Sequence, residues 1–113
     1  MSQEPAAASS REPERRYERR YPFEAILEIE WGSSTFTGRV QDISPGGMFF
    51  ISSEPLWLGA RFTAKLKTQP PILVECTVRH IEPGRGIAAT LVFPEAKSKS
   101  QFMDLIGSLE STK

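Results

Sequence analysis

Short runs of alternating apolar and polar residues, broken by glycine and proline, fill the chain from Phe23 to Phe93. A period of two fits a strand with one buried face, because successive side chains on a strand point to opposite sides. Phe23, Ala25, Leu27, Ile29 and Trp31 take one phase, and Glu24, Glu28 and Glu30 take the other. After the turn formers Gly32, Ser33 and Ser34, Phe36 and Val40 alternate with Thr35, Thr37, Arg39 and Gln41, which predicts a hairpin. The segment Asp42-Ile43-Ser44-Pro45-Gly46-Gly47 reads as a turn leading into a third strand over residues 48–52. Phe62, Ala64 and Leu66 mark a fourth strand, stopped by Pro70 and Pro71, which cannot donate to a ladder. Val74, Cys76 and Val78 mark a fifth, and residues 82–86 turn the chain into a sixth over residues 87–93. Strands this short, so punctuated, indicate an all-β antiparallel sandwich or small barrel, and closure would remove the exposed edges.

The period then changes. Phe102, Leu105, Ile106 and Leu109 fall on one helical face, and Ser98 with Gln101 fits a capping box, so the sequence predicts a C-terminal helix of about three turns packed on the barrel. Residues 1–14 are rich in Ala, Ser, Pro and Glu without an aromatic or β-branched residue, which predicts a flexible tail ahead of one domain spanning residues 15–110.

Several function classes are disfavoured. The 14 basic and 14 acidic residues cancel, which argues against a surface that coats nucleic acid. The chain shows neither a signal-peptide pattern nor a membrane-length apolar run, so a cytoplasmic protein without membrane contact is expected. Cys76 is the single cysteine and reads as a small core residue, with no metal site expected. His80 is the only histidine, at a strand end that suits a structural role, and no spacing pairs two carboxylates for acid–base work. An enzyme is not expected.

Two features remain. Arg15, Arg16, Arg19 and Arg20 crowd into six positions just before the first strand. Arginine's planar fork suits phosphate, and it equally suits the O6/N7 edge of guanine. The 42–47 turn supplies the complementary surface: Gly46 and Gly47 allow close backbone approach, Asp42 can accept from a guanine N–H, and Ser44 can donate or accept. An Arg-x-x-x-Arg element followed about twenty residues later by Asp-x-Ser-x-x-Gly, between the second and third strands, resembles the PilZ domain family. The matching residues are Arg16 to Arg20 with Arg15 preceding, and Asp42 to Gly47.

The resemblance implies a six-stranded antiparallel β-barrel with a C-terminal helix. It also implies a ligand, cyclic di-GMP, with no other cofactor, held by Arg15, Arg16, Arg20, Asp42, Ser44, Gly46 and Gly47. Arg15 with Arg19, and Arg11 with Arg15, have the same spacing. Arg16 and Arg20 are preferred because Arg20 lies three residues before Phe23, at the barrel rim, and Arg19 is expected to be exposed or paired with a glutamate. The implied role is a bacterial receptor that orders its arm on binding and signals to a protein effector. Two other readings stay open: a small barrel that binds RNA or single-stranded DNA, and a PilZ-like interaction module without a nucleotide.

Overall fold

The computed structural model describes residues 19–111. Six strands, β1 (Tyr21–Trp31), β2 (Ser34–Ser44), β3 (Gly47–Ser52), β4 (Arg61–Leu66), β5 (Ile72–Glu82) and β6 (Gly86–Val92), precede one helix, α1 (Ala96–Ser111). They close in the order β1-β2-β3-β6-β5-β4, with β4 returning to β1 and every neighbour antiparallel. This is the expected closed barrel with its terminal helix. The β1–β2 hairpin turns through Gly32 and Ser33, with Gly32 at φ 62° in the first central position, where a type II′ turn needs a residue free of a Cβ.

The inward phase fills the barrel. Leu27, Ile29, Val40, Phe50, Leu66, Val74 and Val78 are buried, and the Phe50 and Phe62 rings meet edge to face at 5.8 Å. Each such side chain contributes about 1.5–3 kcal/mol by leaving water. Cys76 joins this core, where burial pushes its thiol well above the ordinary range, so it holds no thiolate near neutral pH.

Helix α1 packs on β5 and β1. It starts at Ala96, two residues ahead of the expected cap, and Lys99 N–H donates to the Glu95 carbonyl at 3.2 Å. Ser98 therefore lies in the first turn and caps nothing. It shares the buried stripe with Phe102 and Ile106 at intervals of four residues, and its small side chain lets that turn sit close to the barrel. At sixteen residues the helix exceeds the expected three turns. Phe102 is wholly buried, 5.3 Å from the Phe93 ring that follows β6.

The far end of α1 is tied to the start of β1. Tyr21 is buried, and its hydroxyl donates to Glu110 Oε2 at 2.8 Å. Burial, then the hydrogen bond to Glu110 and its charge, raise the phenol above its ordinary value. The neutral phenol is thus favoured in the folded state, and its stabilisation is full below the unfolded value near pH 10 and lost as pH rises through the folded one. Tyr21→Phe should be less stable than the parent at pH 7. In urea titrations from pH 7 to 11 the gap between parent and variant should close above about pH 10, and a gap that persists would rule out the phenol as its source.

Irregularities in the ladders matter most for function. Against β3, the register of β2 shifts between Val40 and Asp42, leaving Gln41 as an extra residue. Against β2, β1 shifts between Pro22 and Ala25. A bulge reverses the alternation beyond it. Val40 and Ile43 both enter the core, while Asp42 and Ser44 take the opposite phase. In β5 a third shift between Val78 and His80 leaves Arg79 and His80 both exposed.

Candidate ligand-binding groove

The register places Asp42 of β2 beside Phe49 of β3, Phe49 beside Ala88 of β6, and Ala88 beside His80 of β5. A second row runs from Ser44 through Gly47 and Thr90 to Thr77. These rows carry an open groove of about 570 Å³ on the flank of the barrel, lined at one end by Arg20, Asp42, Ser44, Gly46 and Gly47 and at the other by Arg79, His80, Glu82 and Arg85. Ala88 and Thr90 supply small side chains along β6 between them, while Ala89 turns its methyl into the core.

At the first end, Arg20 Nε donates to Asp42 Oδ1 at 2.9 Å and one of its terminal nitrogens reaches the same oxygen at 2.8 Å. The side chains are 47% and 29% exposed, so water screens the pair and a competing anion can part it at little cost. Ser44 is fully buried, and its hydroxyl donates to the Gly47 carbonyl at 3.4 Å. Gly47 has no room for a side chain: a Cβ would stand 2.8 Å from the Ala89 carbonyl oxygen. That contact holds β3 close against β6. Beside it the Leu91 N–H donates to the Gly46 carbonyl at 2.9 Å.

The segment 42–47 is not one long turn. β2 continues through Ser44, and only Pro45 and Gly46 stand between it and Gly47 at the start of β3. The ladder persists because Ile43 has a core position to fill. Asp42 and Ser44 are consequently held by a sheet rather than by a loop, which fixes their direction more firmly.

Five residues expected to bind ligand, Arg20, Asp42, Ser44, Gly46 and Gly47, thus line one groove. Arg15 and Arg16 lie outside the described residues, as does the expected tail over residues 1–14. Arg19 is exposed, as expected. The opposite end went unnoticed in the sequence. Arg79 Nε donates to Thr90 Oγ1 at 3.2 Å, and Glu82 lies 3.6 Å from His80 Nε2 and 3.5 Å from Arg85 Nε. His80, expected to be structural, stands exposed on the groove wall. The run Arg79-His80-Ile81-Glu82 before a Gly-rich hairpin was a usable signal, but only the pairing of β3 with β6 brings it opposite Asp42. Among the described residues no three His, Cys, Asp or Glu side chains converge to hold a metal, and no helix is long and apolar enough to cross a membrane.

A closed barrel with a docked helix and a charged groove on its flank defines a small all-β barrel domain. The PilZ domain family model matches residues 13–108, and the chain belongs to that family. Solved structures agree in fold. The PilZ domain with c-di-GMP of YcgR from Escherichia coli superposes with a TM-score of 0.70 at 18% identity, covering 87% of this chain and 93% of that one. The PilZ domain of CeSA from a cellulose-synthesizing bacterium gives 0.64 at 20% identity, covering 81% and 98%. The K. pneumonia MrkH–c-di-GMP complex gives 0.62 at 15% identity, covering 86% and 54%. A comparison with curated proteins finds no match.

Proposed function

We propose that this PilZ domain is a cytoplasmic bacterial receptor for cyclic di-GMP that performs no reaction and passes the signal to a protein effector. The observation that carries the reading is the convergence of Arg20, Asp42, Ser44, Gly46 and Gly47, drawn from the two motifs, on one groove. The ligand carries two guanines and two phosphodiesters. Asp42 accepts from the N–H edge of a guanine, and the backbone at Gly46 and Gly47 lets the base approach. Arg20 and Arg16, with Arg15 beside them, supply the charge-assisted bonds that the phosphates and the O6/N7 edge need. Ligand and arginines together tie residues 15–20 against the barrel, and the surface so formed is what the effector reads.

Calorimetric titration with cyclic di-GMP, beside GTP, cyclic AMP and a short oligonucleotide, tests this. Cyclic di-GMP alone should bind, and more weakly as salt rises. Binding of the oligonucleotide alone would favour a nucleic-acid barrel, and silence from all four an interaction module. In Asp42→Ala the preference for cyclic di-GMP over cyclic di-AMP should shrink by about tenfold, since a matched base contact is worth about 1–3 kcal/mol of discrimination. An unchanged preference would mean that Asp42 only pairs with Arg20.

A further inference from the structure

The groove has two charged ends of similar make, and the two motifs account for one. At the Asp42 end a carboxylate of β2 holds an arginine at 2.8–2.9 Å. At the other, the Glu82 carboxylate holds Arg85 at 3.5 Å across the β5–β6 hairpin, with His80 at 3.6 Å on its second oxygen. Glu82 is 37% exposed, Arg85 77% and His80 65%, so these contacts are loose and wet and exchange readily for a ligand's. Arg79 lines the groove and is anchored through Nε on Thr90. The two ends lie three strand spacings apart along the row Asp42, Phe49, Ala88, His80, or about 14 Å around the barrel surface.

The middle of that row is built flat. Ala88 is small, as is Thr90 in the neighbouring row, and Phe49 lies against Gly86, where a Cβ would stand 2.7 Å from the ring. Gly86 thereby lets Phe49 lie down rather than fill the groove.

We infer that Arg79, Glu82 and Arg85 form a second base-and-phosphate subsite, so that one cyclic dinucleotide bridges the groove with a guanine at each end. The inference rests on the receptor reading above. Glu82 accepts from the N1–H and N2–H edge of the second guanine, as Asp42 does for the first. Arg79 and Arg85 hold the phosphate beside it, each with a planar fork of donors. A cluster serving only to solvate the hairpin would have no need of the small floor or of a matching carboxylate across it.

The test uses the full chain and two probes, cyclic di-GMP and the mixed cyclic GMP-AMP. A groove with one guanine site accepts the mixed ligand almost as well, losing only the choice of which end enters, about twofold. With two guanine sites, either orientation leaves an adenine facing a carboxylate. The parent protein should therefore bind the mixed ligand about tenfold or more weakly, at one ligand per chain. Glu82→Gln should bring the two affinities to within about threefold, and Arg79→Ala with Arg85→Ala should weaken both ligands alike. Equal binding of the two ligands by the parent protein, or an unchanged ratio in Glu82→Gln, overturns the second subsite and leaves the receptor intact. Failure of the folded parent protein, checked by circular dichroism, to bind either ligand overturns the receptor reading and the subsite with it.

Discussion

Arg20→Ala is expected to weaken cyclic di-GMP binding by about tenfold to a hundredfold, the loss of a charge-assisted contact worth about 1.5–3 kcal/mol. The change acts twice. It removes a planar donor from the groove, and it leaves Asp42 without the cation that sits 2.8 Å from its Oδ1. The bare carboxylate then faces an incoming phosphate of like charge. Asp42→Ala does the reverse, freeing Arg20 for the ligand, so its cost should fall on base selectivity. The double variant should recover part of the affinity lost in Arg20→Ala, and a double-mutant cycle by calorimetry measures that coupling. Because both side chains are partly exposed, thermal stability should move by less than about 1 kcal/mol. Arg16→Ala should lose affinity on the same scale. Binding like the parent's in either variant would move the motif to Arg15 and Arg19.

Phe102→Ala should destabilise the fold by about 3–5 kcal/mol, the cost of emptying a fully buried aromatic site. Phe102 has no exposed surface, packs 5.3 Å from Phe93, and stands midway along the stripe of Ser98, Phe102 and Ile106 that joins α1 to the barrel. The thermal midpoint should drop by more than about 10 °C. The loss should appear in one transition if helix and barrel unfold together, and scanning calorimetry beside far-ultraviolet dichroism reads both. A loss below about 1 kcal/mol would mean that the helix rests on the barrel without supporting it.

Most of the scaffold could be read from alternation alone, because a half-buried strand writes its period into the chain. The inward set of β1, from Phe23 to Trp31, and the apolar stripe of α1 hold in the structure. Arg20 and Asp42 were expected to face one ligand and do line one groove, but their pairing with each other was not legible. What escaped depends on register. The strands β3 and β6 are neighbours in the barrel but more than thirty residues apart in the chain, so nothing local announces that His80 and Asp42 share a row. The bulge at Gln41 was hidden for a related reason: Gln41 read as an ordinary outward position of the second strand, and Asp42 and Ser44, polar and turn-forming, read as a turn until the ladder counts them. The start of α1 was misplaced because Ser98, a good capping residue by type, is small enough to serve as a packing residue instead.

The bulge at Gln41 makes the site a matter of counting. Were the same residues laid into an unbulged ladder, strict alternation from Val40 would turn each side chain beyond Gln41 to the opposite side: Asp42 and Ser44 toward the hydrocarbon interior, Ile43 out to water. The barrel's core and its groove therefore differ by a parity that the bulge corrects: closing the bulge at constant length would exchange them, whereas deleting Gln41 itself would leave Asp42 opposite Phe49 and Ile43 opposite Met48. A change that irons out the bulge without shortening the strand is consequently one this domain can ill absorb, although the segment itself is half exposed and chemically ordinary.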